Sequence, residues 1–172
     1  MPALLVDRLQ CLDDTAEWTP DEVYLLVACG RMGARGRLAV LTLAAPDWRG
    51  LVRGEQRRGD LVIDAQYAPD KIYVAALVEQ DGARDLADAA LQARMEQELS
   101  EILQMFASVR GATQPEVAEQ LRHAFDLCLA GLRRNDEPIG VAQIVAVPAG
   151  SGSRSVTFKG ARGSYRIDLK IL

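Results

Sequence analysis

"EVYLLVACG", residues 22–30, is the stretch whose reading decides the fold. It is a nearly continuous apolar run closed by a glycine. Such a run suits a strand buried on both faces, or one in the core of a sandwich, rather than a strand with one face in water. Working outward, "ALLVDRLQCL" (3–12) and "RLAVLTLA" (37–44) have the β-branched and leucine content of strands, and "IYVAALV" (72–78) is another apolar run. "LVIDAQY" (61–67) alternates apolar and polar residues. "RMGARG" (31–36) and "APDK" (68–71) read as turns. "APDWRGLVRGEQRRGD" (45–60) reads as a loop with proline, glycine and a basic cluster.

At about residue 84 the period changes. Leu91, Met95, Leu99, Ile102, Phe106 and Val109 follow one another at helical spacing and predict an amphipathic helix over 84–109. Asp85 is placed to cap or charge its start. "RGAT" breaks the helix. Thr113 with Glu116 reads as a capping box, with Pro115 in the first turn of a second helix that carries Val117, Leu121, Ala124, Cys128 and Leu132 on one face. Strand patterning returns in "IGVAQIVAVP" (139–148), "SVTFKG" (155–160) and "YRIDLKIL" (165–172). The expectation is a mainly β chain, one domain over 1–172. Its antiparallel sandwich is interrupted by a two-helix hairpin at about 84–134.

A net charge of −4 lacks the basic field of a nucleic-acid binder, and an apolar content of 49% excludes a disordered chain. No stretch reaches the ~18 consecutive apolar residues of a membrane span, and the N-terminus lacks a signal-peptide pattern. Cys11, Cys29 and Cys128 are widely spaced and odd in number, which fits buried thiols in a reducing compartment. A cytoplasmic location is expected, with signal-less export left open. With His123 as the single histidine, zinc is not expected. There is no nucleophile elbow, and "GRMGARG" lacks the Lys-Ser/Thr end of a phosphate loop. The chain is read as a non-enzyme.

"LDDTAEWTPDEVYLLV" (12–27) clusters acids before the first decisive strand. Further on come the acid-x-acid pair Glu79 and Asp81 in "VAALVEQD", and then "NDEPIG", with Asn135, Asp136, Ile139 and Gly140. In that order the three pieces resemble C2 domains, β-sandwiches whose end loops carry acids. The resemblance covers about 1–83 and 135–172. It departs from the C2 pattern where Asp21 is followed by Glu22 and Val23 rather than Pro-Tyr, where Glu79 stands for the first Asp, and where the hairpin is inserted. What it implies is a recognition module, calcium-modulated, in which Asp14, Asp21, Glu79, Asp81 and Asp136 supply the hard oxygen ligands that calcium takes. The same acids also serve as ordinary turn residues.

The resemblance and the loops together suggest an anionic lipid surface or a protein as partner. Trp18 at the tip loop, with Arg53, Arg57 and Arg58 in the basic loop, is the candidate contact set; a folded-back tryptophan and a solvated basic face are the alternatives. The hairpin is not needed to close a sandwich. Its stripe (Leu91, Met95, Leu99, Phe106, Phe125, Leu132) either docks on the sheet or is shared with a second copy as a homodimer interface. In the second case the chain is a free-standing interaction protein, an adaptor or toxin-neutralising partner with the sandwich as scaffold.

Overall fold

The computed structural model of the chain describes residues 2–14, 21–32, 37–80, 88–131, 137–144, 153–160 and 163–172. Among them run β1 (Leu4–Asp14), β2 (Asp21–Arg31), β3 (Leu38–Leu43), a 3-10 turn (Pro46–Trp48), β4 (Arg49–Leu51), β5 (Gln56–Asp64), β6 (Lys71–Glu79), α1 (Ala89–Ala107), α2 (Gln114–Ala130), β7 (Glu137–Ile144), β8 (Ser153–Gly160) and β9 (Gly163–Ile171). The first sheet has the order β5-β1-β9-β8. The second has the order β3-β2-β6-β7, with β4 also paired to β2. Every pairing is antiparallel. The chain is an antiparallel β-sandwich with a helical insertion.

The decisive run lies in β2, at the centre of the second sheet. Side chains alternate across a strand, so Val23, Leu25 and Val27 face the first sheet while Tyr24, Leu26 and Ala28 face the helices. Its neighbour β6 does the same, with Tyr73, Ala75 and Leu77 on one side and Ile72, Val74, Ala76 and Val78 on the other. The second sheet is therefore a middle layer, with the first sheet beneath it and the hairpin above. Its central strands are apolar throughout because neither face meets water. The first sheet needs only one apolar face. Its outer face carries a polar grid in which Lys170 meets Asp7 and Asp60, Arg166 meets Gln10, and Ser155 donates to Asp168.

Helix α1 buries Leu91, Met95, Leu99 and Leu103, and α2 buries Val117, Leu121, Phe125 and Leu129, both at four-residue spacing. Helix α1 begins at Ala89 rather than near 84. Asp88 accepts hydrogen bonds from the amides of Ala90 (3.0 Å) and Leu91 (3.1 Å), which fixes the start there. Asp85 lies outside the described residues. Gly111, at φ 88°, supplies the left-handed turn between the helices. The expected cap of α2 is present: Glu116 reaches back to the amide (2.8 Å) and hydroxyl (2.7 Å) of Thr113.

The stretch 45–60 departs from its reading as a loop. It contains β4 and the first half of β5. Because β5 is an edge strand with one solvated face, its Arg, Gln and Asp residues sit in a ladder without an apolar signature. Trp48, read as a loop residue, is fully buried between the sheets, and its indole N–H donates to the Arg58 carbonyl at 3.2 Å.

One side of the sandwich closes where β7 and β8, edge strands of different sheets, touch backbone to backbone. A Cβ built on Gly140 would lie 3.0 Å from the Lys159 backbone, and one built on Gly160 only 1.9 Å from the Ile139 carbonyl oxygen. A backbone carbonyl cannot step aside as a side-chain end can. Gly160→Ala should therefore destabilise the fold by about 1–3 kcal/mol or more, in the manner of an overpacked core. Urea denaturation checks this, and an unchanged midpoint would show that the two edges are free to separate.

Candidate functional site

Strand register carries four acidic strand ends to one end of the sandwich. Asp14 closes β1 opposite Gly163, and Asp21 opens β2 opposite Leu51. Glu79 closes β6, opposite Val23 on one side and Glu137 at the start of β7 on the other. The turn that leads from β4 of the second sheet into β5 of the first is held to β1 there, where the Cys11 amide donates to the Glu55 carbonyl (3.0 Å) and the Gly54 amide to the Cys11 carbonyl (3.0 Å).

Of the five acids expected to hold calcium, the backbone positions of Asp14, Asp21 and Glu79 are at this end. Asp81 and Asp136 lie outside the described residues, as does Trp18. Sequence attaches Asp81 two residues beyond Glu79, and Asp136 one residue before Glu137. Glu79 alone of the five has a described side chain, and it is 5% exposed. A carboxylate there is a hard oxygen donor suited to calcium. Among the described residues no three His, Cys, Asp or Glu side chains gather around a common point.

The basic loop sits at the same end. Arg53 lies 3.8 Å from Asp13, Arg49 lies 3.9 Å from Glu22, and Arg57 is 2.8 Å from Glu55. Arg58 is exposed on β5. These exposed pairs are individually weak. Together they set guanidinium groups among the carboxylates, so part of the mutual repulsion expected of clustered acids is already offset within the chain.

The hairpin residues named as an interface face inward. Leu91, Met95, Leu99 and Phe125 are buried against the second sheet, and Phe106 is half-buried on the same cluster. Leu132 lies outside the described residues. Between the first half of α1 and the end of α2 a groove of about 250 Å³ is lined by Leu91, Arg94, Met95, Glu98, Leu127 and Cys128, among others. Its thiol donates to Glu98 at 3.0 Å. Burial first, then the hydrogen bond to Glu98 and the Glu98 charge, push the Cys128 thiol up to about 12, so it is not a ready nucleophile.

Sequence reasoning missed a polar cluster at the opposite end. Asp64, at the end of β5, accepts from Lys71 (2.5 Å) and from the Tyr73 hydroxyl (2.7 Å), both on β6, and from the Gln66 amide (2.8 Å). Cys29 of β2 lies 4.0 Å from the same carboxylate, and Tyr67 stacks on Tyr73 at 6.1 Å. The four polar groups come from three strands, so no local motif announces them. The available signal was Tyr73 and Lys71 opening an otherwise apolar run. The cluster ties the first sheet to the second.

Burial raises the Asp64 carboxyl, but the hydrogen bonds from Lys71, Tyr73 and the Gln66 amide outweigh it, and the group titrates below its ordinary 3.8. Burial and then the Asp64 charge push the Cys29 thiol up to about 11, and burial and the Asp64 hydrogen bond hold Tyr73 protonated. The arrangement stores a fixed ion pair rather than an activated base or nucleophile.

No protein-family model matches the chain, and no curated protein matches it in sequence.

Because the folded-state pKa of Asp64 is depressed, the unfolded chain takes up its proton more readily. The stabilisation is complete above the unfolded value and is lost as pH falls through the folded one. Asp64→Asn should cost roughly 1–3 kcal/mol near neutral pH, where it strips a half-buried lysine of its counter-charge. The difference from wild type should shrink in acid. Urea midpoints of both proteins at neutral pH and below pH ~3 check this, and an equal difference at both would remove Asp64 ionisation from the account.

Proposed function

We propose that the chain is a C2-like, non-enzymatic recognition module that binds through the acidic end of its sandwich, with calcium as modulator and an anionic lipid surface as partner. The observation that carries this reading is the register that brings the ends of β1, β2, β6 and β7 together, with Asp14, Asp21 and Glu79 on those ends; Asp81 and Asp136 adjoin Glu79 and Glu137 in sequence and lie outside the described residues. Hard oxygen donors spread over loops at one end of a rigid sandwich suit calcium's six to eight ligands. A cation held there would turn a mixed-charge surface toward anionic headgroups, with Arg49 and Arg53 already beside it. Burial of the hairpin's apolar stripe within the chain favours the loop end over the hairpin as binding surface. Among the described residues no helix is long and apolar enough to cross a membrane, so contact would be peripheral.

Calcium that binds the folded state alone should raise the melting temperature by mass action. Melting is measured in chelator and then in millimolar calcium, on wild type and on the Asp21→Asn/Asp81→Asn variant, alongside co-sedimentation with phosphatidylserine vesicles. A rise in wild type that the variant lacks, together with calcium-dependent pelleting, is the expected result. Identical melting of wild type in both buffers would leave these acids as turn residues and end the calcium reading. A rise without pelleting would redirect the search to a protein partner.

A further inference from the structure

Among the described residues, strand β3 (Leu38–Leu43) pairs with β2 on one side only. Its other edge would ordinarily leave alternate amides open. Instead α1 covers it. The Leu38 amide donates to Ser100 Oγ at 2.9 Å, the Val40 amide donates to Glu96 Oε1 at 2.8 Å, and Gln92 Nε2 donates to Thr42 Oγ1. Positions 92, 96 and 100 of the helix thus meet 42, 40 and 38 of the strand. The match is geometric: four helical residues advance about 6 Å, and two strand residues about 6.8 Å. Ser100 and Glu96 thus reproduce the acceptor spacing of a missing strand, and Gln92 extends the stripe as a donor to the Thr42 hydroxyl. Ser100 is one of two polar residues buried among those described, the other being Glu79.

The edge so covered is unusual in composition. "LAVLTL" contains no charge and no proline, and Leu41 is exposed. Charges, prolines and bulges are the devices that normally blunt an edge. Here helix α1 takes that role. Two such edges would meet antiparallel about a two-fold axis with no like charges opposed, and the second sheets of two molecules would become one. We propose that the outer edge of β3 is a strand-pairing surface for a second copy of this chain, held shut by the Gln92–Glu96–Ser100 stripe of α1.

The test is molar mass by light scattering across a dilution series. The Glu96→Ala/Ser100→Ala variant removes the side-chain acceptors of both strand amides and should shift to twice the wild-type mass or beyond at matched concentration. The Glu96→Gln/Ser100→Thr variant keeps an acceptor at each place and should match wild type. Adding Leu41→Lys to the alanine pair should return the mass to the wild-type value, because a lysine on the edge opposes pairing. A folded alanine pair with wild-type mass throughout would overturn the proposal. So would association that Leu41→Lys leaves unchanged, since that would be collapse of a damaged fold. Should the pair fail to fold, each single variant is read in the same way, and an unchanged mass in both has the same force.

Discussion

The architecture depends on two central strands that are apolar on both faces. Neither β2 nor β6 offers a polar side to solvent, so the sheet they anchor has to be covered twice. The first sheet covers one face and the hairpin covers the other. Of the two placements expected of the hairpin stripe, docking on the sheet is the one observed. Without α1 and α2, Tyr24, Leu26, Val74, Ala76 and Val78 would form an exposed apolar patch. Each large side chain buried there contributes roughly 1.5–3 kcal/mol. The hairpin is an insertion in sequence order but a structural layer in space.

That layer also sets the charge distribution. Residues 88–131 carry seven acidic and three basic side chains, so the hairpin accounts for the chain's whole net charge of −4 and the rest of the chain is balanced. The balance is visible as pairing: Asp13 with Arg53, Glu22 with Arg49, Glu55 with Arg57, and Lys170 between Asp7 and Asp60. A protein organised in this way offsets part of the acid cluster at the loop end with arginines and presents its net negative charge from the helices.

The sandwich and hairpin were legible in the sequence because burial imposes a period: two for strands, 3.6 for helices, and none at all for strands covered twice. The signal fails where one face is wet. The first half of edge strand β5 lay in "GEQRRGD" with no apolar alternation to betray it, and Trp48 passed for a loop residue because its neighbours are Pro, Asp and Arg. The helical stripe was read correctly as far as Leu99. It then ran through Ile102 and Phe106, which are partly buried on the same cluster, but passed over the fully buried Leu103 and included Val109, which is exposed. The acidic strand ends were legible as residues, and their common end as an expectation from motif order. The Asp64 cluster and the stripe on α1 were not legible, because both join side chains whose proximity only the pairing of sheets creates.

If the hairpin is a layer of the fold rather than an appended element, its opening and that of the central strands are a single event. Native-state amide hydrogen exchange measures this residue by residue. The buried-face amides of α1 and α2 should exchange with the same opening free energy as those of β2 and β6, and with the same response to denaturant. Helical amides that exchange through a smaller opening, while β2 and β6 stay protected, would show that the second sheet stands without its cover and would contradict the account.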